Sequence, residues 1–325
     1  YHTNPKISDT DGDTLLDGVE VKGWSIEVDG RTRLVTSDPL SLDSDGDGLS
    51  DGDERVYGTD PKLSDTELDG LNDYDEIFKY FTKPYKSDTD SDYLKDGDEV
   101  TLYLTDPRMA DTDRDALPDG VEVLELSRYG ANPLRRDVFV EVDWMEGTAF
   151  SVEARAKLID VFSKAPVTNP DGSRGISLHI ILDDLVPTIR IEGWSDFQRI
   201  RKSYRDHRWF YYAVLAQAVG GWGETGLSFG GYGFVVEAKA GILGAFGRGF
   251  MPVEFIFMHE LGHTLGLTPE VFDGIDSYKY SYSEYPSAMN YNQPFFGLMP
   301  RLQYSAGGVF NDWAYLAQGF TPPAP

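Results

Sequence analysis

Apolar positions are arranged in two different ways along this chain. From residue 137 onward they follow the periods of regular secondary structure. The run "DVFVEVDWM" (137–145) alternates and predicts a strand, "ISLHIILDD" (176–184) predicts a second, and "GYGFVVEA" (231–238) a further one. Helical spacing marks "VEARAKLIDVFSKA" (152–165) and "SDFQRIRKSYRDH" (195–207), which opens on a helix cap and is followed by the apolar "WFYYAVLAQ". The stretch "VEFIFMHELGHTLG" (253–266) predicts another helix. Strands alternate with helices, so residues 137–325 are expected to form an α/β (α+β) domain with a twisted sheet packed on helices.

Before residue 137 the apolar residues thin out, and single leucines recur inside acidic twelve-residue stretches. Five stretches share oxygen-bearing side chains at positions 1, 3, 5, 9 and 12 with leucine at 7. They are Asp9, Asp11, Asp13, Leu15, Asp17 and Glu20; Asp43, Asp45, Asp47, Leu49, Asp51 and Glu54; Asp65, Glu67, Asp69, Leu71, Asp73 and Glu76; Asp88, Asp90, Asp92, Leu94, Asp96 and Glu99; and Asp111, Asp113, Asp115, Leu117, Asp119 and Glu122. Such spacing suits Ca²⁺, which takes about 6–8 oxygens from a loop, one of them the carbonyl at position 7. Without a cation, so many neighbouring carboxylates repel one another into an acidic disordered linker, but five copies in one register argue for loops. A glycine that eases the turn at position 6 stands at Gly48 and Gly70, while Thr14, Tyr93 and Ala116 replace it elsewhere. A proline precedes each first aspartate by four residues (Pro5, Pro39, Pro61, Pro84, Pro107), and Pro133 does the same before Asp137. The array is therefore expected to span 1–136. Its longer first gap contains "WSIEVDGRTRLV", which predicts an inserted β-hairpin near 24–35 with Asp29-Gly30 at the turn.

Charge sharpens this division. The chain of 325 residues carries a formal net charge of −26, and 34 of its 55 acidic residues lie before residue 137, against 15 of its 29 basic ones. An excess of acid repels phosphate backbones, so nucleic acid is not an expected partner. Acid gathered in one half points to bound cations, about five Ca²⁺ ions in a structural role. There is no cysteine, which excludes disulfides and thiolate-held metals. No apolar run of about 18 residues exists, so no membrane-spanning helix is expected.

The chemistry sits in "MHELGHTLGLTPE" (258–270). His259 and His263 are four apart and share one helix face, and Glu260 lies beside the first. Two imidazoles so placed grip one Zn²⁺, with the glutamate as general base toward a water. Gly262 allows close packing behind the helix and Gly266 can end it in a left-handed turn. Two buried core histidines are the bland alternative. Catalytic zinc takes three protein ligands, and Pro269 stands where the longer H-E-x-x-H-x-x-G-x-x-H motif has its third histidine. Glu270, Asp273, Asp276 and Glu284 remain as candidates. Asp276 is favoured, with Asp273 as runner-up: Gly274-Ile275-Asp276 resembles the G-x-D segment that follows the motif helix in archaeal and bacterial zinc-protease homologues, and Gly274 can free the backbone to swing a carboxylate inward.

Two resemblances join these readings. Residues 4 to about 133 resemble thrombospondin type 3 repeats in their bacterial and archaeal style, which implies a loop-rich, calcium-filled array. The stretch 258–291, with "YPSAMNY" (285–291) downstream of the helix, resembles the metzincin clan of zinc proteases and its Met-turn. That likeness implies a zincin-type metallopeptidase domain at 137–325. Met289 would form the apolar floor under one catalytic Zn²⁺, Tyr291 would touch the metal or stabilise the oxyanion, and Glu260 would be the general base. It also implies protein or peptide substrates laid along an edge strand, for which the "GGWGETGLSFGGYG" loop (220–233) or the strand after it is the candidate. Weak calcium sites fill at extracellular calcium levels, so a secreted or cell-surface endopeptidase is expected, with surface or protein tethering as a further role for the array. The alternative is a calcium-dependent adhesion or spacer protein with a vestigial or latent protease domain. His2, His179 and His207 read as structural or surface residues, and "RIRKSYRDHR" (199–208) as a solvated helix face.

Overall fold

The computed structural model describes residues 3–148, 150–220, 225–238, 252–291 and 302–324. Two compact units divide the chain, one of Tyr1–Thr112 and Pro118–Glu125, the other of Asp113–Leu117 and Leu126–Pro325.

All five loops wind in the same way. The backbone turns to positive φ at the fourth residue of each (Gly12, Gly46, Leu68, Ser91, Arg114) and again at the sixth (Thr14, Gly48, Gly70, Tyr93, Ala116). Holding a side-chain-bearing residue there costs roughly 1–2 kcal/mol, so Tyr93 and Leu68 adopt the turn against local preference. The first aspartate holds the turn: in loop one Asp9 accepts the Gly12 amide at 2.7 Å and the Thr14 amide at 3.2 Å. The seventh-position leucines Leu15, Leu49, Leu71, Leu94 and Leu117 are all buried. Past the ninth residue the chain coils into α1 (Asp17–Lys22), α2 (Asp51–Tyr57), α3 (Asp73–Asp75), α4 (Asp96–Asp98) and α5 (Asp119–Val121). The hairpin forms where its sequence predicts, as β1 (Trp24–Val28) paired with β2 (Arg31–Val35). Its turn puts Asp29 at φ 48° and Gly30 at φ 71°, which matches the right-handed strand twist. Asp29 is tied to the fourth repeat, donating its amide to Tyr85 at 2.9 Å and accepting the Ser87 amide at 3.0 Å.

The second unit is built on a five-stranded mixed sheet in the order β4-β3-β5-β7-β6. Strands β3 (Asp137–Met145), β4 (Ser177–Val186), β5 (Tyr211–Ala216) and β7 (Phe234–Glu237) run parallel, and the edge strand β6 (Gly226–Ser228) runs antiparallel to β7. Helices α6 (Val152–Ser163) and α8 (Val253–Thr264) cover one face of the sheet, where Val138, Val140 and Val142 meet Leu158, Phe162, Phe257 and Leu261. Helix α7 (Trp194–Tyr204) covers the other through Phe197 and Ile200 against Tyr212, Val214 and Val235. Each of these fully buried side chains contributes about 1.5–3 kcal/mol relative to exposure. Residues Asp113–Leu117 of the fifth loop join this unit: Ala116 packs against its core, and Asp115 accepts the amide of Asp137, the first residue of β3, at 2.7 Å.

Some local expectations change. Helix α7 begins at Trp194 behind Gly193, which has no side chain to cap it, and Asp196 turns back to accept the Glu192 amide at 3.1 Å. The 199–208 segment is not uniformly solvated either. Ile200 and Arg201 are buried, and burial pulls the Arg205 guanidinium down to about 10. A short helix, α9 (Asp312–Leu316), has no counterpart in the sequence reading; it buries Trp313 and Leu316 in the core.

Candidate metal centre

Helix α8 starts behind Pro252 and buries Phe255, Ile256, Phe257, Met258 and Leu261. Gly266, at φ 112°, ends it with paired bonds from Gly266 N–H to His263 O at 3.1 Å and from Leu267 N–H to Gly262 O at 2.9 Å. A β-carbon strains at that φ, so glycine suits the position. The reversal turns the Leu267 carbonyl back onto His263, whose Nδ1 lies 2.7 Å away. His259 Nδ1 lies 2.9 Å from the carbonyl of Ala288. A carbonyl only accepts, so both Nδ1 atoms carry the proton and both Nε2 atoms of the neutral rings present lone pairs.

Those lone pairs converge on Asp276. His259 Nε2 is 3.2 Å from Asp276 Oδ1, His263 Nε2 is 3.2 Å from Asp276 Oδ2, and the two Nε2 atoms are 3.2 Å apart. Asp276 Oδ1 is buried without a hydrogen-bond donor. With both rings neutral, acceptors face acceptors there, an arrangement that a cation among them relieves. Tetrahedral zinc with bonds of about 2.0–2.1 Å would space its ligands by about 3.3 Å, so the donor set fits that ion. Charge couples the same groups. Burial opposes charge on His259, yet Asp276 and Glu260 raise its pKa. Burial also disfavours the Asp276 carboxylate, yet the two imidazoles hold its pKa far below the usual range.

The other candidate ligands are elsewhere. Asp273 pairs with Lys279, leaves most of its side chain in solvent and accepts the Tyr280 hydroxyl at 3.3 Å. Glu270 and Glu284 are exposed, and Glu284 is occupied by the amide and hydroxyl of Ser281. The freedom expected of Gly274 is not what brings Asp276 inward. Gly274 has no positive φ; Asp276 itself sits at φ 53°, with its amide bonded to the Met289 carbonyl at 3.0 Å. Gly274 is needed for room instead, since a β-carbon there would lie 2.3 Å from the Phe272 ring.

Around this point stand the other residues of the motif. Met289 is fully buried, and its sulfur would lie 2.6 Å from a β-carbon placed on Gly262. The Tyr291 ring lies 6.0 Å from that of His259. Burial, then the charges of Asp276 and Glu260, push its hydroxyl up to about 12, so it stays a donor at neutral pH. Glu260 is nearly buried, which raises its pKa. Strand β6 passes over Glu260: a β-carbon on Gly226 would lie 2.3 Å from Oε1. Ser228 approaches Thr264 of α8 at 3.3 Å. The structure thus puts the expected edge strand at 226–228, and most of the glycine-rich stretch before it (221–224) lies outside the described residues. The carbonyls of Ala288 and Leu267 and the bare Cα of Gly226 escape sequence reasoning, because backbone acceptors leave no residue-type signal.

In the array, Asp9, Asp11 and Asp13 form one cluster and Asp43, Asp45 and Asp47 another. A third joins Asp13 and Glu20 of loop one to Asp51, the ninth residue of loop two, with ligand atoms within 4.8 Å of one another. Asp51 also holds the Ser44 amide at 2.8 Å and its hydroxyl at 2.6 Å. The loops are thus not the self-contained units the spacing suggests. Acids at position five carry the same linkage, with Asp47, Asp69 and Asp92 accepting the amides of Tyr74, Gly97 and Gly120 in the next loop. Asp11, Asp13, Glu20, Asp45, Glu54, Asp90 and Glu99 each keep at least one buried oxygen with no donor, as a set built for cations does.

Compared with known families, residues 43–64 match the bacterial TSP3 repeat. The match covers loop two and the lead-in to loop three, and it supports Ca²⁺ as the cation of the array. No curated protein sequence matches the chain. Among the described residues no helix is long and apolar enough to cross a membrane.

Calcium-free, the array carries a signed pH dependence. Burial first, and neighbouring aspartates second, raise Glu54 and Glu99 from 4.5 to about 9; burial raises Glu20 to about 7. The folded array then holds protons that the unfolded chain has released above about pH 4.5, so its stability falls as pH rises from there toward 9. In chelator, the melting temperature of the array should drop between about pH 5 and 8, and millimolar Ca²⁺ should restore it most at pH 8. Scanning calorimetry across that range checks this; an apo melting temperature that rises with pH contradicts it.

Proposed function

We propose that this protein is a secreted, calcium-braced, zinc-dependent endopeptidase of the metzincin-like type. The observation that carries the reading is the convergence of His259 Nε2, His263 Nε2 and the Asp276 carboxylate, with both Nδ1 protons already committed to carbonyls. These three would hold the zinc, which when bound supplies a Lewis acid that polarises a scissile carbonyl and acidifies a water.

The protein's own groups account for the rest. Glu260, in contact with β6 at Gly226, accepts the proton of the attacking water and returns it to the leaving amine nitrogen. Its burial raises its proton affinity and suits it to that exchange. The Tyr291 hydroxyl, neutral and partly exposed beside His259, donates to the carbonyl oxygen as charge develops there. Among the described residues no strand pairs with the far side of β6, whose backbone groups would there receive an extended peptide above Glu260. Extracellular calcium would fill the array, which braces or tethers the enzyme. A second reading, a calcium-dependent adhesion or spacer protein with a latent protease domain, rests on the array, where the family match falls.

Metal analysis and casein cleavage separate the two. Wild type should hold about one zinc and cleave casein, and Glu260→Ala should keep the zinc while losing roughly 10²–10⁴-fold in kcat. Stoichiometric zinc with no cleavage by the wild type, even after proteolytic processing, favours the adhesion reading. Asp276→Ala should lose at least tenfold in zinc affinity, whereas Asp273→Ala should titrate like wild type; the reverse ranking overturns the ligand set. Gly226→Ala, which pushes a methyl group into Glu260, should lower kcat while zinc content stays at one.

A further inference from the structure

The turn at 285–291 serves the cluster twice through its backbone. The Ala288 carbonyl faces His259 Nδ1 at 2.9 Å, and the Met289 carbonyl accepts the Asp276 amide at 3.0 Å. One short run of peptide therefore orients one imidazole and the carboxylate, and whatever fixes that run fixes both.

A single buried carboxylate does so. Asp312, the first residue of α9, is fully buried. Its Oδ1 accepts the Tyr285 hydroxyl at 2.6 Å, and its Oδ2 accepts the Ser287 hydroxyl at 2.5 Å and the Ser305 amide at 2.8 Å. The Ser287 hydroxyl in turn accepts the Met289 amide at 3.1 Å. A continuous chain of bonds thus runs from Asp312 through Ser287 and Met289 to the backbone of Asp276. Burial raises the Asp312 pKa, and the donors from Ser287, Tyr285 and Ser305 oppose that rise by bonding to the carboxylate. Asn290 Nδ2 closes the turn on the Tyr285 carbonyl at 2.8 Å, and the Ala288 amide is held by the Gln303 carbonyl at 2.8 Å. An amide at 312 could not serve all three donors, because its NH₂ cannot accept.

We propose that Asp312 is a positioning residue of the metal centre, acting through Ser287 on the turn whose carbonyls set His259 and Asp276. This rests on the reading that His259, His263 and Asp276 hold a divalent metal. Residues that orient a metal's ligands in this way typically carry about 10–100-fold in metal affinity.

The test uses the full chain in millimolar Ca²⁺ with Co²⁺ as probe, which reports ligand geometry in its visible spectrum. Asp312→Asn and Ser287→Ala should each weaken Co²⁺ binding by roughly 10–100-fold, shift the Co²⁺ absorption bands, and lower kcat more than they change KM. Ser287→Ala removes one hydroxyl and keeps the test decisive if Asp312→Asn does not fold. Variants that melt earlier but bind Co²⁺ with wild-type affinity and spectrum would make Asp312 a fold residue only, and the proposal fails. A wild type whose Co²⁺ binding is indifferent to His259→Ala overturns the underlying metal reading instead, and the proposal with it.

Discussion

Two imidazole nitrogens and a carboxylate meet at 3.2 Å in a partly buried cluster, and with both rings neutral that places acceptor against acceptor. The local structure of the second unit serves to maintain that unfavourable arrangement. The Gly266 reversal aims the Leu267 carbonyl at His263, and the 285–291 turn aims the Ala288 carbonyl at His259. Each ring is locked in the tautomer that leaves Nε2 unprotonated. Left-handed Asp276 is pinned by its own amide. The strain of such a residue, roughly 1–2 kcal/mol, persists because the Met289 carbonyl and the core beneath it over-determine the position.

The same constraint governs the array. Its carboxylates are buried beside one another, and the acid at position nine of loop two stands with acids of loop one. Hydrogen bonds from loops three, four and five to the position-five acid of the loop before extend that dependence along the repeat. Both units thus gather anionic or lone-pair groups in sets that suit cations, and neither unit is expected to show its full stability without them.

The legible part of this molecule was whatever repeats or follows a helical period. His259, Glu260 and His263 are local, so their shared face follows from spacing alone. The strands β3, β4 and β7, helices α6 to α8 and the β1–β2 hairpin follow from periodicity and an Asp-Gly turn. The third member of the cluster was legible as a ranked set of acids with Asp276 first, though not for the reason the structure shows. Bringing Asp276 rather than Asp273 to the histidines depends on a bond to Met289 and on Lys279 drawing Asp273 outward, and neither partner is marked by spacing. Asp312 was not legible at all, because its partners come from 285, 287 and 305. The positive φ shared by the fourth and sixth loop residues was half legible: glycine marks the sixth in two loops, but Tyr93 and Leu68 carry no such mark.

The most direct measurement of the central claim is a crystal structure of zinc-loaded protein with diffraction recorded on both sides of the zinc absorption edge. The account predicts one strong anomalous peak among His259 Nε2, His263 Nε2 and the Asp276 carboxylate, at about 2.0–2.1 Å from each. A peak bound by Asp273 or Glu284 instead, or none at this site in protein soaked with excess zinc, would contradict it.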